Sequence, residues 1–413
     1  MAIQDTDTFL VARGTANYQV AGSVLKAYAG GSGTQPSIPD VAAAPYGTTY
    51  LDRLYGVSYN PVTGYHYVYT NAIGLNPNDI TGRVYGLSVL VSEDGVNFNL
   101  SGELDSNGNS AYPGTGQCIS TPDTGANVII LRNSSATTVT SRTNPSFQSS
   151  VTPTSFANAV SFGSNYNVTQ TSNVAYYDAG NLLSFITYDF GGGGTTYDTY
   201  CSTSTTEGLS WNTSMIFSAS TSSGENPRSY AARGYVSAYV FTQTSLYKTT
   251  DGGFTFTKNS TPLPGGGSAV QWGAAGAVGT GNLLCGITNP SYAVYYSTDD
   301  GLTWNTSSGL PANTYRRKVL YSDLADKYIV FCDPYDSGST PVSGGGACYV
   351  STDGTGASFR LAAPGNPWLQ AALGYGYALA PEVAINFGTN LFFIPSPVAG
   401  LNGYLCQVDP TTL

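Results

Sequence analysis

One short pattern recurs along this chain and limits its folds more than any other feature. The clearest copy is Ser297-Thr298-Asp299-Asp300-Gly301-Leu302-Thr303-Trp304, led in by Tyr295-Tyr296. A second is Thr249-Thr250-Asp251-Gly252-Gly253-Phe254-Thr255-Phe256. Weaker copies are Ser204 to Trp211, Ser92 to Phe98, Ser351 to Phe359 with an extra residue, and a degenerate Thr143 to Phe147. The closing aromatics, Phe98, Phe147, Trp211, Phe256, Trp304 and Phe359, are separated by 49, 64, 45, 48 and 55 residues. Each unit reads as a hairpin: a β run enters, Asp and Gly form the turn, and a short strand bearing the aromatic leaves. A period of about 50 residues suits one four-stranded blade of a β-propeller.

Two further β runs precede each turn, as in NVAYYDAGNLLSFITYD and KVLYSDLADKYIVFCD. The C-terminal stretch repeats them as VAINFG, NLFFIPS and GYLCQVD, and then ends without a turn. The expected fold is therefore all-β, a seven-bladed propeller over residues 50–413 whose last blade lacks its outer strand. An open ring would expose sheet edges, so residues 31–49 are expected to supply a linker and a ring-closing strand, Pro36 to Tyr50. Residues 1–30 stand apart. Asp5 to Gly14 and Asn17 to Val20 read as a β-hairpin, and Ser23 to Tyr28 as a helical turn. A lone hairpin buries little and needs a partner, which marks Phe9, Val11, Tyr18 and Val20 as attachment residues.

Composition narrows the function. Only 10% of the residues are charged, against roughly 25% in an ordinary soluble domain. The net charge of −10 argues against binding to nucleic acid, which needs clusters of Lys and Arg. No apolar run is long enough to span a membrane, and the N-terminus lacks the basic and apolar regions of a signal peptide. The six cysteines show no metal-ligand spacing, so no metal and no cofactor are expected. All six are expected as free thiols, the alternative being a pairing of Cys332 and Cys348 across the Gly-rich loop they flank.

The turn unit resembles the Asp-box (BNR) repeat of sialidase-like β-propellers. Asp251, Gly253, Phe256, Asp299, Gly301 and Trp304 match its Asp, Gly and aromatic positions, while Thr206 and Glu93 stand where Asp is expected. The resemblance implies a structural role, bracing the outer hairpin with the aromatic packed between sheets. Such propellers include glycosidases, glycan-binding modules and non-enzymatic scaffolds. The N-terminal MAIQDTDTFLVARG…YQVAG resembles the opening of virion structural proteins of marine cyanophages. That resemblance implies a phage particle component assembled in the host cytoplasm, in several copies, joined through its hairpin to other tail or capsid proteins.

Catalysis finds little support in the sequence. A sialidase requires an arginine triad, and Arg53, Arg233 and Arg316 form one only on paper. Glu225 and Glu382 are the carboxylates best placed for glycoside hydrolysis. His66, the only histidine, sits in an alternating β context expected to be half exposed. Aromatics recur near each expected inner strand instead, including Tyr112, Tyr230, Trp272, Tyr315 and Trp368. With Arg316 and Arg317 they define a candidate binding face at the channel mouth, suited to a host surface glycan or protein. The alternative is that these aromatics pack between blades. The expected function is non-enzymatic host adhesion or decoration on a virion, with a sialidase-like glycoside hydrolase as the alternative.

Overall fold

The computed structural model describes residues 8–13, 16–21, 51–60, 62–72, 86–92, 99–103, 112–113, 119–120, 127–132, 138–144, 156–161, 166–171, 175–178, 181–190, 196–206, 210–220, 225, 227–233, 237–264, 270–287, 292–314, 317–322, 325–332, 343, 347–362, 382–385, 391–394 and 406–408. The chain forms two compact units, Met1–Asp40 and Val41–Leu413. The ring-closing strand expected from Pro36 to Tyr50 and the helical turn at Ser23 to Tyr28 lie outside the described residues.

In the first unit, Thr8–Arg13 and Ala16–Ala21 pair as an antiparallel hairpin. The register sets Phe9 opposite Val20 and Val11 opposite Tyr18. Because alternate strand positions share a face, these four positions fall on one face of the hairpin.

The second unit is a β-propeller. Among the described residues, seven antiparallel sheets follow one another in chain order. The first contains Leu51–Tyr59, His66–Ala72, Gly86–Ser92 and Asn99–Glu103. The second contains Tyr112–Pro113, Ile119–Ser120, Asn127–Arg132, Thr138–Asn144 and Phe156–Ser161. The third contains Tyr166–Thr171, Ala175–Asp178, Asn181–Phe190, Thr196–Ser204 and Asn212–Ser220. The fourth runs Pro227–Arg233, Ser237–Thr242, Leu246–Thr249 and Thr257–Lys258. The fifth runs Val270–Ala275, Leu283–Ile287, Val294–Ser297 and Asn305–Thr306. The sixth runs Arg317–Ser322, Lys327–Cys332, Ala347–Ser351 and Phe359–Leu361. The seventh has three described strands, Glu382–Ile385, Leu391–Ile394 and Cys406–Val408.

First strands of successive sheets adjoin. Pro227–Arg233 lies beside Val270–Ala275, which lies beside Arg317–Ser322, which lies beside Glu382–Ile385. Glu382–Ile385 also lies beside Leu51–Tyr59, so the seventh sheet meets the first.

Sequence explains why second strands sit deepest. Ser237–Thr242 reads SAYVFT, and five of its six residues are buried. A blade in a ring is covered on both faces, so its central strands are apolar throughout rather than alternating. Tyr239 and Phe241 pack toward the fifth sheet with Leu283 and Cys285. Ala238 and Val240, one residue out of phase, pack toward the third sheet with Leu183 and Phe185. In the sixth sheet Val330 and Cys332 face the fifth, with Leu284 and Val294. The core is thus a series of slabs between neighbouring sheets.

The same phase argument resolves the cysteines. Cys332 is paired with Ala347, and Cys348 with Phe331. Directly opposed residues share a face and successive ones do not, so Cys332 and Cys348 point to opposite sides of their sheet. They do not meet across the loop. Cys201, Cys285, Cys332 and Cys348 are all buried free thiols.

Candidate functional site

The recurring turns build the best-defined polar sites among the described residues. At Asp299 the carboxylate accepts the Thr303 amide at 2.8 Å, the Thr303 hydroxyl at 2.7 Å and the Ser297 hydroxyl at 2.8 Å. Ser297 Oγ in turn accepts the amides of Asp299 at 3.3 Å and Gly301 at 2.8 Å. The Asp251 turn repeats this. Its carboxylate takes the Phe254 and Thr255 amides at 3.0 and 2.9 Å, with Thr249 Oγ1 donating at 2.7 Å. Thr249 Oγ1 accepts the Gly253 amide at 3.0 Å. Short side chains bonding nearby backbone are what turn geometry selects.

These bonds fix the charge state. Desolvation raises a carboxyl, but the Thr255 hydroxyl and amide, with the Thr249 hydroxyl, outweigh it and hold Asp251 down at about 2. Asp299 is lowered in the same way, desolvation being overcome by the Thr303 hydroxyl and amide and by Ser297.

Departures from the pattern keep part of the chemistry. Thr206, standing where the carboxylate would be, accepts the Ser210 amide at 2.9 Å. The longer sixth-sheet turn moves the contact inward: Asp353 Oδ1 accepts the amide and hydroxyl of Thr355 at 2.9 and 2.6 Å.

Each well-described turn grips the sheet before it. Phe256 meets Phe185 of the third sheet edge-on at 5.9 Å. Trp304 packs into the cluster of Tyr239, Phe241 and Leu246 in the fourth. Phe359 packs with Leu284 and Val294 of the fifth. Glycines allow the approach. A Cβ on Gly301, at φ +81°, would lie 2.5 Å from Leu246 Cδ2, and one on Gly253, at φ +91°, 2.7 Å from Cys201 Sγ.

Asp300 adds a polar lock that the sequence reading missed. Its carboxylate accepts Tyr239 Oη at 2.6 Å and Lys248 Nζ at 2.8 Å, and its carbonyl accepts Asn259 Nδ2 at 2.9 Å, all from the fourth sheet. The available signal was the Asp-Asp-Gly run. Asp300 sits at φ 60°, a conformation that Asp tolerates better than most residues. At the next interface, Asn282 donates to the Gly354 carbonyl at 3.0 Å and Ser307 to the Gly356 carbonyl at 2.7 Å.

The aromatic positions of the candidate channel face divide. Tyr112 lies in Tyr112–Pro113 opposite Arg132, Trp272 lies opposite Gly286, and Arg317 opens its strand opposite Cys332. Tyr315, Arg316 and Trp368 lie outside the described residues. Tyr230 takes part in the packing between sheets. Its ring stacks on Phe185 at 4.8 Å and 13°, and its hydroxyl bonds Thr187 Oγ1 at 2.6 Å. Burial pushes its phenol upward, only partly offset by Thr187.

The catalytic candidates are similarly placed. Glu225 is engaged by Thr242 Oγ1 at 2.9 Å, Ser245 Oγ at 2.8 Å and Lys258 Nζ at 2.5 Å. Desolvation raises it, but Lys258, Ser245 and Thr242 together bring it below its usual range. This carboxylate ties the segment before the fourth sheet to that sheet. Arg53 lies near the start of its strand and Arg233 ends its own, while Arg316 lies outside the described residues. His66, expected half exposed, is buried at 7%, opposite Tyr59 and Ser92. The turn before it is closed by the Asn60 amide donating to the Tyr65 carbonyl at 2.9 Å. Among the described residues no group of three or more His, Cys, Asp or Glu is placed to hold a metal.

No protein-family model matches the sequence, and no curated protein does. Among solved structures, the chain is similar to Raptor of Chaetomium thermophilum, with a TM-score of 0.47 and 11% identity over 93% of this chain and 30% of that one. It is similar to an alpha-L-arabinanase of Penicillium chrysogenum complexed with arabinobiose, with a TM-score of 0.44 and 12% identity over 71% of this chain and 92% of the other. It is also similar to YCF48 bound to D1 peptide, with a TM-score of 0.31 and 15% identity over 61% and 84% of the two chains.

Proposed function

We propose that this chain is a non-enzymatic structural protein of a phage virion. Its N-terminal hairpin attaches it to other tail or capsid proteins, and its propeller, braced by Asp boxes, is presented for host adhesion or decoration. The observation that carries this reading is that Met1–Asp40, with its two-stranded hairpin, forms a compact unit of its own. A hairpin of that size is marginal in water and gains its stability from a partner. The resemblance of MAIQDTDTFLVARG to cyanophage virion proteins supplies the class of partner.

Two placements support a presenting role over hydrolysis. Glu225, one of the two carboxylates best placed for catalysis in the sequence, is held by Thr242, Ser245 and Lys258. The turn carboxylates Asp251 and Asp299 are likewise engaged in holding their own loops. A glycosidase needs one carboxyl free to give up a proton and a second to act on the sugar or on water.

The test is to delete residues 1–30 in the phage and search purified particles for propeller peptides by mass spectrometry. Loss of the propeller from otherwise complete particles is expected. Incorporation at the normal level would overturn the attachment role.

A further inference from the structure

The third sheet has the longest outer strand of any sheet among the described residues. Its last strand, Asn212–Ser220, runs for nine residues, whereas the outer strands of the fourth, fifth and sixth sheets have two, two and three. Nine residues of strand extend for about 30 Å. The strand ends its sheet, and among the described residues nothing pairs with its outer side. Its sequence, NTSMIFSAS, has no charge and no proline, whereas Lys258 and Arg360 stand on the outer strands of the fourth and sixth sheets. Charge and brevity are the usual means of protecting an edge, and this edge has neither. Met215 is 57% exposed on it, one of only five large apolar side chains so exposed among the described residues.

We propose that this edge pairs with the same edge of a second copy, joining two propellers by a two-fold antiparallel ladder. Three observations favour a second copy as the occupant. The strand is self-complementary about its centre: an antiparallel pairing through Ile216 sets Met215 against Phe217, Ser214 against Ser218, Thr213 against Ala219 and Asn212 against Ser220. Apolar meets apolar in the middle and small, uncharged residues meet at the ends, as cross-strand pairing favours. The strand is neutral, so two chains of net charge −10 meet here without opposing like charges. The irregularity in the ladder with Thr196–Ser204, at Ile216, falls on the symmetry axis and leaves a regular run on either side. A two-fold contact is self-limiting, in contrast to an open edge that recruits chain after chain.

One strand per partner covers less than the ~800 Å² a side of a stable interface, so the dimer is weak and concentration-dependent. It forms where copies are crowded and dissociates in dilute solution.

Sedimentation velocity on the full chain from about 1 to about 300 µM spans the range in which such a contact populates. A reversible monomer–dimer equilibrium is expected. Hydrogen exchange over the same range should show added protection of amides 212–220 and none at 257–258 or 305–306. Met215→Lys and Ser218→Lys, both at exposed positions, should weaken association at least about tenfold without shifting the melting temperature, and Met215→Leu should retain it. A chain monomeric throughout the range would overturn the proposal. So would a dimer whose protection lies elsewhere, or one indifferent to both lysines.

Discussion

The grip of each turn on the preceding sheet is tested most sharply by two glycines with nearly the same backbone angle. Gly301 has φ +81° and Gly279 has φ +79°. Alanine at either position meets the same penalty for left-handed backbone, roughly 1–2 kcal/mol. The surroundings differ. Around Gly279 nothing lies within 4 Å of the added Cβ. At Gly301 the Cβ would stand 2.5 Å from Leu246 Cδ2, 3.1 Å from Asn259 Nδ2 and 3.2 Å from Trp304 Cζ2. Leu246 has no exposed surface and Asn259 is bonded to Asp300, so neither yields freely. Overpacking of that kind adds about 1–3 kcal/mol. Gly301→Ala should therefore cost about 2–5 kcal/mol and Gly279→Ala only about 1–2 kcal/mol. Urea unfolding followed by tryptophan fluorescence measures both, and Trp304 reports from the interface itself. Equal losses in the two variants would show that the turn bears no cross-sheet load, and the account of the ring as a chain of gripping turns would fail.

Further outcomes follow from the same geometry. Asp300→Asn retains the left-handed backbone but removes the charge facing Lys248 and Tyr239. It should lower stability by about 1–3 kcal/mol in the same urea assay, since hydrogen bonds to a charged group are worth about that much. Trp304 Nε1 is buried without a hydrogen-bond partner, and Phe occupies the equivalent place at Phe256 and Phe359. Trp304→Phe, which removes the unsatisfied donor together with some ring area, should change stability by less than about 1.5 kcal/mol, far below a cavity-forming substitution. Asp251 has its folded pKa lowered to about 2, so its contribution is present above the unfolded value near 4 and is lost as pH falls through about 2. Thermal scans between pH 6 and pH 2 should show a smaller acid loss in Asp251→Asn than in the wild type. Burial raises the thiols of Cys201, Cys285 and Cys348, so iodoacetamide at pH 8 should label them only after unfolding, as mass spectrometry would read.

Local chemistry made much of the fold legible. The bonds of Ser297, Asp299 and Thr303 join residues two to four positions apart, so their pattern survives in the sequence and its period gives the blades. Strand alternation set the N-terminal hairpin in the same way. Contacts between sheets left fainter marks. Asp300 reaches Tyr239 across 61 positions and Lys248 across 52, so no local pattern announced them. Tyr230 shows the reverse failure. An aromatic on an inner strand can serve binding or packing, and the packing is shown only by its stack on Phe185, a contact that spans 45 positions and leaves no local mark. Glu225 carried a suggestive context for the same reason, since its hydroxyl partners lie 17 and 20 positions away.

The backward direction of each turn's grip has a consequence for how the molecule is made. Domains emerging from a ribosome order themselves from the N-terminus, at about 5–20 residues per second. The partner of each of these three turns has already been synthesised when the turn appears: Leu183 before Gly253, Leu246 before Gly301, Leu284 before Gly356. Nascent chain can thus add one sheet at a time onto a finished neighbour, with no wait for residues still to come. The seam between Leu51–Tyr59 and Glu382–Ile385 is different, because its second half is translated only after all the intervening sheets. Until then the first sheet shows an uncovered flank, and that interval is when a growing chain is most open to capture by another.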